Sequence, residues 1–124
     1  MNYWHKHKEF KKGAYDIVVS YSPEMESLDG FFDDTEYNIK EMTNKIDRGD
    51  AVWFMVEVKA LLNGIELGRD VVGGFYYEDK YEDEVIDEGL DGYLEDMVEE
   101  AINEANNNVA VIVKTIGQPG EARS

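Results

Sequence analysis

Carboxylates are the chemistry this chain carries in quantity. Between Glu78 and Glu100 stand twelve of its 28 acidic residues against one lysine, Lys80. Glu84, Glu88, Asp91, Glu95 and Glu99 step by three or four, and Asp96, Glu100 and Glu104 form a neighbouring row, the spacing of stripes along a helix. Two carboxyls do general acid/base work when their surroundings drive their pKa values apart. Acids are so abundant here that no pair stands out, so the stripes read better as a charged surface. A row repeating every helical turn, ~5.4 Å, comes near the spacing of successive phosphates on a nucleic-acid strand.

Other reactive constellations fail on composition. Without cysteine the chain has no disulfide, thiolate nucleophile or zinc–thiolate site. A Ser-His-Asp type of triad needs an imidazole base, and the only histidines, His5 and His7, lie among lysines near the N-terminus. Their i,i+2 spacing suits two metal ligands on one strand, but the lysines repel a cation. Asp87-Glu88-Gly89-Leu90-Asp91-Gly92 begins like a calcium loop, with acids at positions 1 and 5 and glycine at 6. It fails at position 3, which is Gly89, and at position 12, which is Val98 rather than a bidentate glutamate. Gly73-Gly74 could cradle a phosphate only beside a helix N-terminus and cations; Glu78 and Asp79 follow instead. Arg48-Gly49-Asp50 spells an adhesion tripeptide, yet a helix end and turn account for it. The expectation is no enzyme, no cofactor and no dedicated metal site.

Charge and length set the class. A chain of 124 residues with 43% hydrophobic and 12% aromatic content can build one hydrophobic core, despite a net charge of −16. That charge argues against nucleic acid or an anionic membrane as a direct partner and favours a basic protein surface. No stretch is long and apolar enough to span a bilayer and no signal-peptide pattern opens the chain, so a cytoplasmic setting in a host cell is expected.

The elements that must position the acids follow from periodicity. Residues 1–12 read as a basic arm, with Lys6, Lys8, Lys11 and Lys12 against Glu9, that packs back on the acidic body or frays. Residues 13–117 read as one α+β domain and 118–124 as a disordered tail. Ala14 to Ser22 alternates as a strand ended by Pro23. A loop to Asp34 follows, and Asp33 or Asp34 is placed to cap a helix over Thr35 to Arg48, stopped by Gly49. Ala51 to Leu62 is the clearest strand, and Asn63-Gly64 the strongest hairpin signal, returning through Ile65 to Tyr77. Ile86, Leu90, Tyr93, Leu94, Met97, Val98, Ala101, Ile102 and Ala105 mark a buried helical stripe. Gly89 and Gly92 weaken the helix's start, so it begins either near Val85 or near Asp91, with Glu78 to Glu88 then an acidic loop. Asn106-Asn107-Asn108 reads as a helix end. Val109 to Ile116 favours a strand by its β-branched content, although its spacing also continues the helix.

The resulting order is βαββαβ, a ferredoxin-like arrangement of one antiparallel sheet with two helices on one face. If Val109 to Ile116 is helical, the alternative is a three-stranded sheet with one long C-terminal helix.

In size, absence of cysteine, net charge of −16 and the acidic span Glu78 to Glu100 on an α+β body, the chain resembles the small acidic accessory proteins of phages and mobile elements, including anti-CRISPR and anti-restriction proteins. The resemblance implies a non-enzymatic inhibitor that blocks a nucleic-acid-binding complex by sitting where DNA would sit. Glu84, Asp87, Glu88, Asp91, Glu95, Asp96 and Glu99 are the expected partner-binding residues. The alternative is a small phage structural or assembly protein, or a homo-oligomer, joined through apolar surface at Trp4, Phe10, Phe31, Phe32 or a sheet edge.

Overall fold

In the computed structural model, which describes the backbone of residues 3–123 and the side chains of residues 3–116, the chain is α+β: one four-stranded antiparallel sheet with helices on both faces. The strands are β1 (His5–Lys12), β2 (Tyr15–Pro23), β3 (Ala51–Leu62) and β4 (Ile65–Glu78). Their order in the sheet is their order in the chain, so each pairs with its sequence neighbour. Helix α1 (Ile39–Arg48) interrupts the meander between β2 and β3; α2 (Glu82–Asp87) and α3 (Tyr93–Arg123) close it.

Two expectations about order are corrected. Residues 5–12, read as part of an arm, form the outer strand β1, paired with β2 from His5↔Tyr21 to Lys12↔Tyr15. Val109 to Ile116 is helical and belongs to α3, so the βαββαβ order gives way to ββαββ followed by α2 and α3. The β-branched residues there cost a helix only a few tenths of a kcal/mol each, less than re-nucleating a new element. The three asparagines do not end the helix either. Asn106 Oδ1 accepts from the Tyr15 hydroxyl at 2.6 Å and Asn108 Nδ2 donates to the Leu67 carbonyl at 2.5 Å, so two of them stitch α3 to β2 and β4. Of residues 118–124, read as a disordered tail, 118–123 have the helical backbone of α3, and their side chains lie outside those described.

Alternation on the strands decides the faces. Ile17 and Val19 of β2, Phe54, Val56, Val58 and Ala60 of β3 and Phe75 of β4 point to one face, where they bury Val85, Ile86, Leu90, Met97, Val98, Ala101 and Ala105. Gly68 of β4 lets α3 lie close: a Cβ there would overlap the Ala101 carbonyl oxygen and sit 2.8 Å from the Ala105 nitrogen. The missing side chain is a close-approach glycine.

The opposite face is covered at one end by α1 and the turn Leu28–Gly30, over Met55 and Trp53. Trp53 Nε1 donates to the Glu26 carbonyl at 2.8 Å, and Phe31 stacks edge-on to the indole with centroids 5.2 Å apart. Gly74, at φ +80, leaves room for the Phe31 ring and gives its N–H to Glu24 Oε1 at 2.8 Å. The rest of this face carries Glu57, which is buried and salt-bridged to Arg69, with Lys59 beside it.

Helix α1 starts later than expected because its cap is Asn38, not Asp33 or Asp34. Asn38 Oδ1 accepts from the Glu41 N–H at 3.1 Å, whereas Asp33 holds the preceding turn through the Thr35 N–H and hydroxyl. Gly49 ends it at φ 83, with Gly49 N–H on Ile46 and Asp50 N–H on Lys45, the paired bonds of a Schellman cap. Arg48 and Asp50 then pair at 3.0 Å, so the adhesion-like tripeptide is a helix terminus. Asn63 and Gly64 take φ 51 and 80, the two positive values a type I′ turn requires.

Candidate functional site

The acidic span folds as two helices joined at an angle rather than as one. Four consecutive residues, Gly89, Leu90, Asp91 and Gly92, have φ of 93, 52, 56 and 92. Leu90 accepts this left-handed backbone because its side chain is fully buried in the core. Both sequence alternatives for the helix start are therefore partly right: the long helix begins after Asp91, and the segment before it contains the separate short helix α2 rather than only a loop. Glu84 closes the first turn of α2 by accepting the Tyr81 N–H at 3.2 Å.

The seven acids expected to bind a partner fall into two groups. Glu84, Asp87, Glu88 and Asp91 are exposed but already engaged within the chain. Asp87 Oδ1 lies 2.7 Å from His7 Nε2 and 3.3 Å from Lys8 Nζ. Glu88 takes the Lys80 ammonium at 2.7 and 3.0 Å. Asp91 Oδ2 accepts from the Tyr77 hydroxyl at 2.8 Å. Burial, with that bond to Asp91, pushes the Tyr77 phenol well above its ordinary value. Glu95, Asp96 and Glu99 make the second group. They stand on the outer surface of α3, and no described lysine, arginine or histidine comes within 4.0 Å of their carboxylates.

Three acids outside the expected set lengthen this second group. Glu100 and Glu104 continue its rows along α3, exposed and likewise without an ion-pair partner among the described residues. Asp70, facing them from β4, has its carboxyl pushed up by burial first, then by the negative charge of Glu100 and Glu104. The rows were visible in the sequence; Asp70 was not, because only the packing of α3 on β4 brings it there.

His7 is the other residue whose place was missed. Read as a weak metal ligand, it is instead inserted between two acids of α2, with Nδ1 3.1 Å from Asp83 and Nε2 2.7 Å from Asp87. Asp83 also raises the phenol of Tyr21, after burial, which raises it most. Among the described residues no group of three or more histidine or acidic side chains is arranged to hold a metal ion, and no helix is long and apolar enough to cross a membrane.

Where β1 passes the start of α3 there is a shallow hollow of about 390 Å³ lined by Phe10, Lys12, Glu88, Leu94, Glu95 and Val98. The carboxylates beside it and along α3 can accept charge-assisted hydrogen bonds from ammonium or guanidinium groups, and i,i+4 neighbours can share one partner side chain. Of the aromatics expected at an apolar interface, Phe32 packs on Tyr37, Trp53 and Tyr76, and the Arg69 guanidinium lies 6.0 Å from the Trp4 ring; Phe31 packs on Trp53 but remains half-exposed, and Phe10 is exposed beside this hollow. No protein-family model, curated protein or solved structure matches the chain.

Proposed function

We propose that the chain is a non-enzymatic binding protein that blocks a basic, nucleic-acid-binding partner, such as a CRISPR-Cas or restriction complex, through the acidic surface of α3. The observation that carries this reading is the unneutralised row Glu95, Asp96, Glu99, Glu100 and Glu104. Among the described residues, Lys6, Lys8, Lys11, Lys45, Arg48, Lys59, Arg69 and Lys80 pair with acids elsewhere, while Lys12, Lys40 and Lys114 pair with none, and this face is left to solvent. A surface shaped only by solubility mixes its signs. One that must meet lysines and arginines benefits from keeping one sign, because the field then steers association and raises its rate.

The four engaged acids have a supporting part. His7, Lys8, Lys80 and Tyr77 fix α2 and the Gly89–Gly92 turn, and so fix where α3 begins. The partner groove reads the row on α3, and the acids of α2 flank it.

The test is capture of partners from a bacterial lysate on the immobilised chain, washed at rising salt, beside a Glu95→Lys, Asp96→Lys, Glu99→Lys variant. The Debye length falls from about 10 Å at 0.1 M salt to about 3 Å at 1 M, so a charge-read partner elutes and duplex DNA displaces it. The triple variant captures nothing. Capture of the same partner by the variant, or by the wild-type chain at high salt, rules the reading out.

A further inference from the structure

The stripe of α3 that packs on the sheet does not stop where the sheet does. Ile102, Ala105, Val109, Ile112 and Ile116 follow one another by three, four, three and four, the spacing of a helix–helix seam. Ala105 is fully buried and Val109 half-buried, but Ile112 is 45% exposed, Val113 63% and Ile116 69%. Opposite them the β3–β4 hairpin leaves Ile65 63% exposed. Between hairpin and helix runs an apolar groove of about 290 Å³ lined by Leu62, Ile65, Leu67, Val109, Ile112 and Val113.

We propose that this overhanging end of α3, with the hairpin beneath it, is the contact by which two copies of the chain pair, their α3 helices antiparallel. Charge selects the occupant. From Ala105 to Ile116 the helix holds one charged residue, Lys114, and no acid, in a chain of net charge −16. A basic partner gains nothing from such a surface, whereas two copies repel each other over the acidic surface described above and can meet where the acids are missing.

Area agrees with a pair. At roughly 100 Å² for each exposed aliphatic side chain, Ile65, Ile112, Val113 and Ile116 present ~400 Å² on this side of the helix. That lies within the largest patches monomers leave open. Doubled across a two-fold axis it reaches ~800 Å², the size of a weak, transient contact.

Packing selects the direction. In a parallel pair the same face of α3 would also have to meet its counterpart at Ala101 and Ala105, where each copy's own sheet already covers it. With the axis near Ile112 and Val113, antiparallel helices meet only at their overhanging ends and hold the two Glu104 residues about 25 Å apart at 1.5 Å per residue, beyond the Debye length in physiological salt. The antiparallel pair thus carries its two acidic rows outward at opposite ends. The proposal does not depend on what those rows bind.

Sedimentation equilibrium of the full chain up to about 100 μM, with far-UV circular dichroism to confirm the fold, tests it. A dimer is expected. Val113→Asp and Ile116→Asp, at exposed positions, should each weaken it by roughly tenfold to a hundredfold while leaving the spectrum unchanged. Because the chain has no cysteine, orientation can be read directly. Val113→Cys should form a disulfide-linked dimer on mild oxidation and Glu104→Cys should not. A monomer at all concentrations, including one that instead floats with phosphatidylcholine vesicles, overturns the proposal. So does a dimer indifferent to both aspartates, or cross-linking through Glu104→Cys.

Discussion

His7 Nε2 lies 2.7 Å from Asp87 Oδ1, joining the first strand to the helix that opens the acidic segment. The hydrogen bond from His7, supported by Lys8, holds the Asp87 carboxyl below the ordinary carboxylate range. A depressed folded-state pKa gives stability that is present above the unfolded value and is lost as pH falls through the folded one. The urea midpoint should therefore drop as pH is lowered from about 5 toward about 2, and Asp87→Asn should flatten part of that drop. Superimposable pH profiles for the two proteins would show that the contact contributes nothing to folding.

Gly68→Ala should be the most damaging glycine substitution in the sheet. The new methyl meets backbone, the Ala101 carbonyl and the Ala105 nitrogen, and backbone of a packed helix has nowhere to rotate. A loss of about 1–3 kcal/mol or more is expected from overpacking of this kind, read as a fall in the urea midpoint. Gly64→Ala meets no atom within 4 Å and strains only its φ of 80. A Gly68→Ala loss no larger than the Gly64→Ala loss would contradict the close packing of α3 on β4.

Glu57 is 2% exposed, and Arg69 Nε meets its carboxylate at 2.5 Å. Removing the arginine leaves a buried carboxylate with only Lys59, at 3.7 Å. Orphaning a fully buried charge costs about 3–5 kcal/mol. Because the Arg69 side chain is 45% exposed and water can replace it in part, Arg69→Ala should cost about 1–3 kcal/mol. Glu57→Leu removes the charge along with its need for a partner and should cost less. Chemical denaturation of both variants at neutral pH checks this ranking, and the reverse order would refute it.

Asp70 predicts the opposite sign to Asp87. Its carboxyl is raised by burial and by Glu100 and Glu104, so the folded chain holds that proton more tightly than the unfolded chain. Its contribution is present below the ordinary carboxylate pKa and lost as pH rises through the elevated one, and at neutral pH the ionised group opposes folding. Asp70→Asn should raise stability at pH 7 by a few tenths of a kcal/mol, the scale of half-exposed charge interactions. It should not do so at low pH. An unchanged or lower melting temperature at neutral pH would mean that the backbone bond from Val71 outweighs the repulsion.

Where local chemistry decides the structure, the residues announce it. Asn63-Gly64 can hardly do anything but turn, Gly49 can end a helix as few residues can, and Val52, Phe54, Val56 and Val58 alternate too regularly for any element but a strand. The errors arise where partners decide. β1 carries His5, Lys6, His7, Lys8 and Glu9 in succession, with no apolar face to reveal it. Its pairing with β2 and the lodging of His7 between Asp83 and Asp87 make it a strand. At Val109 to Ile116 local preference pointed to a strand, and the helix already running from Tyr93 overrode it. The acidic rows of the candidate site were legible because helical spacing is local. Which acids were already taken was not, since His7 and Lys8 lie 79 or more positions from Asp87.

Lys6, Lys8, Lys11 and Lys12, first read as an arm's basic charge, stand on the outermost strand of an open sheet. Among the described residues one edge of β1 has no strand beside it, and such an edge is a template on which another chain can extend the sheet indefinitely. Four ammonium groups within eight residues, and the break in register between Lys6 and Lys8, make that edge a poor template. The lysines that a strongly acidic chain might be expected to discard thus act against aggregation at this one of the sheet's two edges, the other being β4.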